Sequence, residues 1–122
     1  MDAMRRGSAF RQAQSVQDVQ GSPDVVNLRG RQYVVVRRRL QELRKDHPDW
    51  RIVTELLSET PDTATFKATV IDVEGNIIAT GHDRATGENC VALAETGAIG
   101  RAITIAGYGS DDLLERMNEA SE

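Results

Sequence analysis

The sequence predicts an α+β domain: a three-stranded antiparallel sheet, in the order α-β-β-β-α-α, with its helices packed on one face. Three observations carry this reading. Tyr33 to His47 places Val36, Leu40 and Leu43 at helical spacing, and Pro48 ends the run. Residues 50–84 then hold three strand-like runs joined by two short turns. Finally, Ala94 to Gly109 reads AETGAIGRAITIAGYG, a helix of apolar and small residues interrupted only by Glu95 and Arg101. A helix that is apolar nearly all round must be covered nearly all round. It therefore belongs on the sheet, with something else on its outer side.

Taken in order, residues 1–26 are rich in Gln, Ser, Arg and Gly and read as a flexible N-terminal tail. Val25 to Gly30 reads as a short extended lead-in, and the domain proper covers residues 27–110. Three consecutive valines, Val34 to Val36, leave the start of the first helix open between Tyr33 and Val36. Trp50 to Ser58 is the first strand, and Glu59 to Asp62, with Pro61, is a turn. In the second strand, Thr63 to Val73, Phe66, Ala68 and Val70 point one way and Lys67, Thr69 and Ile71 the other. Glu74-Gly75-Asn76 connects it to the third strand, Ile77 to Arg84, where Gly81 marks a bulge or a close backbone approach. Asn89 is placed to cap the apolar helix, and Gly107 to Gly109 ends it. Ser110 or Asp111 then caps a short helix within an acidic C-terminal segment, residues 111–122. A three-stranded sheet has two open edges, and open edges are covered, blunted or paired with another chain. With the all-round apolar helix, this leads to the expectation of a homo-oligomer.

Composition narrows the class. At 122 residues and 39% hydrophobic content the chain is one domain with a modest, mainly aliphatic core, because aromatics are only 4%. One cysteine, Cys90, excludes an intramolecular disulfide and fits a reducing compartment. No membrane-length run and no apolar leader stand out, so a cytoplasmic protein without a membrane partner is expected. The net charge of −4 hides a segregation. Asn27 to Arg51 holds eight cations against three acids, whereas Asp111 to Glu122 holds five acids against Arg116 alone.

Catalytic signals are weak. His47 and His82 lie in different elements, and His47 is expected at a solvent-facing helix end. No nucleophile or metal-ligand spacing accompanies His82 and Asp83. Cys90 reads as a small apolar residue. The helical glycines do not follow a strand and open a helix, so they are packing residues and no phosphate cradle. No cofactor and no enzymatic activity are expected. The basic groups remain: Arg29, Arg31, Arg37, Arg38 and Arg51, with Lys67, Arg84 and Arg101, could converge along a groove and track a phosphate backbone. Tyr33 and Tyr108 are the freer aromatics for base stacking, Trp50 and Phe66 being core candidates.

Several runs carry a resemblance. They are Leu28-Arg29-Gly30-Arg31-Gln32-Tyr33, His47-Pro48-Asp49-Trp50-Arg51-Ile52-Val53-Thr54-Glu55, and Glu95-Thr96-Gly97-Ala98-Ile99-Gly100-Arg101-Ala102 followed by Gly107-Tyr108-Gly109. Together they resemble small phage and bacterial single-stranded-DNA-binding proteins, and more distantly the Rad-fifty-two-type annealing proteins. The resemblance implies an annealing core and sequence-independent binding of single-stranded DNA. It further implies strand annealing in phage-type recombination and repair, assembly into a ring or filament, DNA in a basic groove, and recombination or replication proteins as partners. It also implies that Arg101 is the foremost DNA contact. Gly97 stands where that pattern has Ser, and Ile103 where it has Leu. The competing expectation is a self-assembling interaction module without nucleic-acid binding. A small hydrolase using His82, Asp83 and Glu88 ranks last.

Overall fold

The structure, a computed structural model, describes residues 24–121. Most of the expected N-terminal tail, residues 1–23, lies outside the described residues. The domain opens with a hairpin of which the sequence reading held only the extended lead-in at Val25 to Gly30, and neither the second strand nor the pairing. β1 (Val25–Leu28) and β2 (Arg31–Val34) form a separate antiparallel pair, with Val25 opposite Val34 and Leu28 opposite Arg31. The overlooked signal is Arg29-Gly30, both at positive φ, 52° and 81°. Two such residues make the tight turn whose twist suits a hairpin. An arginine in the place usually held by Asn or Asp concealed it.

Helix α1 (Val36–Asp46) begins three residues later than Tyr33, because Tyr33 and Val34 are spent in β2. Strands β3 (Arg51–Thr60), β4 (Thr63–Ile71) and β5 (Ile77–Thr86) form the main sheet in that spatial order, antiparallel throughout. β4 alternates strictly. Ala64, Phe66, Ala68 and Val70 are buried, and the intervening residues are half-exposed, as the period of two requires.

Helix α2 (Cys90–Ile103) lies over β4 and β5, burying Ala94, Ala98, Ala102 and Ile103 against them. Gly81 of β5 permits this contact. A Cβ there would stand 2.7 Å from the Ala98 carbonyl oxygen and would strike the Ala102 amide. The expected Asn89 cap does not form through its side chain, which makes no capping hydrogen bond. Beyond α2 the chain widens into a π-helical turn (Thr104–Tyr108), and Gly107, at φ 102°, redirects it.

Helix α3 (Ser110–Ser121) follows. Its first turn is closed by the Asp112 carboxylate, which accepts the Gly109 N–H at 2.9 Å, while the Gly109 carbonyl accepts from Leu113 N–H. The Ser110 hydroxyl instead accepts the Val34 N–H at 2.9 Å, tying α3 to β2. The hairpin, α1 and α3 all gather on the α2 side. Among the described residues no helix covers the opposite face of the β3-β4-β5 sheet.

Cys90–Tyr108 is, by length and composition, the one stretch among the described residues that could cross a membrane. Here it is the core helix of the domain, with its alanines packed on the sheet.

Candidate nucleic-acid interface

The basic band of the sequence divides into three fates. Arg39 is the first, and it is buried, only 3% exposed. Its Nε donates to the Val34 carbonyl at 3.1 Å, and its Nη1 donates to Thr104 Oγ1 at 2.9 Å and to the Tyr108 carbonyl at 3.4 Å. Its Nη2 donates to the Tyr33 hydroxyl at 2.8 Å, and the guanidinium lies over the Tyr33 ring, 5.4 Å from its centroid. A cation at the carbonyl-rich end of α2 is favoured by the helix dipole. Five donors in a rigid fork let one side chain clamp β2, α1 and the π-helical turn together. Arg39 is thus a structural clamp.

The second group is exposed but paired. Arg37 and Arg38 both reach Asp24, at 2.9 and 3.0 Å, and Arg38 also holds Glu42 at 3.1 Å. The hydrogen bond to Asp24 raises Arg38 above its ordinary value, against an opposing desolvation effect. Lys45 approaches Glu42 at 3.8 Å, and Arg116 holds Asp46 at 3.2 Å. Arg31 pairs with Asp111 and Arg101 with Asp83, each at 3.5 Å. The acidic C-terminal segment is therefore engaged within the same chain.

Arg31 and Arg101 do border a groove, an open hollow of about 960 Å³ between the hairpin and α2. Its charged lining is Arg31, Arg39 and Arg101 against Asp83, Asp111 and Asp112. Three cations face three carboxylates, so the expected basic groove is charge-balanced. Gly97 explains part of this. A Cβ at that position would occupy the space of the Asp83 carboxylate, so the glycine is what lets Asp83 lie on α2 beside Arg101.

Neither tyrosine is a free stacking platform. Tyr33 lies under Arg39, and Tyr108 is buried, its hydroxyl donating to Asp46 at 2.6 Å. Burial and that bond push the Tyr108 phenol up to about 12, while the same bond, against an opposing desolvation effect, holds Asp46 below its ordinary value. His47, expected to face solvent, is stacked flat on Trp50 at 3.7 Å.

The third group lies on the open sheet face. Arg51 on β3, Lys67 on β4 and Arg84 on β5 have no carboxylate within ion-pair distance among the described residues. The register places Arg51 opposite Ile71, Lys67 opposite Glu55 and His82, and Arg84 opposite Thr65. The three cations thus run diagonally across all three strands over ~22 Å, with steps of ~14 and ~8 Å. Thr63, Thr65, Thr69, Thr80 and Thr86 share this face, and Glu55 is the acid opposite Lys67. Arg29, at the hairpin turn, is separate from this diagonal. His82 is a residue that phosphate reasoning passed over. Its alternation with Arg84 and its pairing with Lys67 were the available signal.

A protein family described as Slr1353 N-terminal dsRNA-binding domain-like matches residues 40–106, more than half of the chain. The chain belongs to that family. No curated protein matches the chain at a significant level. The matched span runs from α1 through the three strands to the π-helical turn, an α-β-β-β-α unit with the helices on one face.

This assignment corrects the resemblance to single-stranded-DNA-binding and Rad-fifty-two-type annealing proteins. With it fall the annealing core, the phage-type strand annealing, the ring and the basic DNA groove. The physical reason lies in the residues that carried the resemblance. Gly97, Ala98, Gly100 and Ala102 are packing positions of a helix laid on a sheet. They report how α2 is seated and say nothing of which nucleic acid is bound. The non-enzymatic reading stands with a family described by binding. Among the described residues no group of three or more His, Cys, Asp or Glu could hold a metal.

Proposed function

We propose that this domain binds double-stranded RNA through the open face of its sheet, tracking the backbone and shape rather than sequence. The observation that carries the reading is the diagonal of Arg51, Lys67 and Arg84, cations that among the described residues have no carboxylate partner and lie on a face no helix covers. The family description supplies the class of nucleic acid. Phosphates need accessible positive charge along a path, and each neutralised phosphate releases counterions. Hydroxyls beside the cations can bond phosphate and sugar oxygens, and in RNA the 2′-hydroxyl is a partner that DNA lacks. The helix side serves the reading less well, because Arg31, Arg37, Arg38 and Arg101 are already held by Asp111, Asp24 and Asp83.

The test is a fluorescence titration of the full chain with a labelled RNA duplex across a salt series. Binding should weaken as salt rises. Lys67→Ala/Arg84→Ala should weaken it roughly uniformly across sequences and reduce the salt slope by about two, one per phosphate contact. Absence of duplex-RNA binding at low salt, or a double variant that binds like the parent, overturns the proposal.

A further inference from the structure

The outer margin of β3 has no strand beside it among the described residues, and its central part is exposed on both faces. Val53, Leu56 and Leu57 are 45%, 44% and 47% exposed along this margin. We propose that β3 pairs antiparallel with β3 of a second copy about a two-fold axis through Val53, joining two sheets into one of six strands. This proposal does not rest on RNA binding, and it takes Arg51 into the interface, leaving Lys67 and Arg84 as the phosphate-facing cations of the diagonal.

The sequence of β3 selects that register. Directly opposed residues of an antiparallel pair lie on the same face, so a two-fold pairing must set like-facing residues against each other. Arg51, Val53 and Glu55 share the open face, while Thr54, which donates to Glu95 of α2 at 2.6 Å, faces the helix. The bulge between Leu56 and Ser58 reverses the facing of everything beyond it. Pairings that cross it therefore set inward residues against outward ones, which confines the ladder to the regular segment before Leu57.

Within that segment the possible axes differ in charge. An axis through Ile52 puts Glu55 opposite Asp49, acid against acid. An axis through Thr54 puts Val53 opposite Glu55 and leaves the carboxylate unpaired. An axis through Val53 puts Arg51 opposite Glu55 twice, Val53 opposite Val53, and Trp50 opposite Leu56. Opposite charges directly across a ladder stabilise it, and like charges destabilise it. The arrangement is isologous, so it closes as a dimer and does not propagate into a ring or filament. It also neutralises Glu55, the acid nearest Lys67, and leaves Lys67 and Arg84 of both copies on one continuous face.

The experiment is a symmetric cross-link. In the full chain, Val53→Cys should form a disulfide-linked dimer under mild oxidation, because only a residue on the axis meets its own copy. Val73→Cys, more exposed at 70% but off the proposed axis, should remain monomeric. The native Cys90 is buried and does not compete. By sedimentation, Arg51→Glu or Glu55→Arg should weaken self-association by about tenfold or more, and Arg51→Glu/Glu55→Arg should restore it. Circular dichroism checks that each variant is folded. A parent chain that stays monomeric at high concentration, cross-linking of Val53→Cys no faster than Val73→Cys, or a double swap that fails to restore the dimer overturns the proposal.

Discussion

The helix side and the sheet side of this domain put their cations to different ends. On the helix side Arg39 is buried among neutral acceptors, and Arg31, Arg37, Arg38 and Arg101 each hold a carboxylate. On the sheet side Arg51, Lys67 and Arg84 have no carboxylate partner among the described residues. Formal charge in a sequence is thus a poor measure of charge available to a ligand. What counts is whether the fold has already supplied a partner.

The largest expected effect tests the helix side. Arg39→Ala should destabilise the fold by about 3 kcal/mol, because the Val34 carbonyl and the Thr104 and Tyr33 hydroxyls lose a charged donor in a buried setting. Thermal or denaturant unfolding measures it, and a loss below about 1 kcal/mol would show that the clamp is dispensable. Gly81→Ala comes next, at about 2 kcal/mol by the same measurement, since the new Cβ meets the backbone of α2 and neither element can yield cheaply.

An intermediate effect sharpens the contrast between the sides. Lys67→Ala/Arg84→Ala should leave stability within about 0.5 kcal/mol of the parent, as ordinary surface changes do, while lowering duplex-RNA affinity. Arg37→Ala/Arg101→Ala should change that affinity far less, because each arginine is already held by a carboxylate and lies off the sheet face. Equal losses from the two doubles would erase the distinction between paired and free cations.

The smallest effect is in pH dependence. The Tyr108–Asp46 hydrogen bond lowers Asp46, and burial together with that bond raises Tyr108 to about 12. The Asp46 contribution is present above its unfolded value of about 3.9 and fades as pH falls through its lower folded value. The Tyr108 contribution is complete below its unfolded value of about 10 and is lost as pH rises toward 12. Tyr108→Phe should flatten both limbs of a stability–pH profile and cost about 1 kcal/mol at neutral pH. An unchanged profile would mean that the bond contributes nothing in solution.

Much of the scaffold was legible in the sequence, for definite reasons. A strict period of two fixed the faces of β4, helical spacing with Pro48 fixed α1, and continuous apolar character required α2 to be covered. Gly81 announced the close approach because no other residue leaves that space. The hairpin of β1 and β2 was not legible, because Arg29 lacks the identity usual for its turn.

The candidate interface was legible only as an inventory. Arg51, Lys67 and Arg84 were named, but so were Arg37, Arg38 and Arg101, with nothing local to rank them. The alternation of β strands set side-chain direction, which local sequence determines because the backbone pleat has one period. Partnership is a different matter. Asp24 lies 13 residues from Arg37, and Asp111 lies 80 from Arg31. Only the packing of the hairpin, α1, α2 and α3 on one face brought those charges together, and by doing so it left the opposite face uncovered and its cations free.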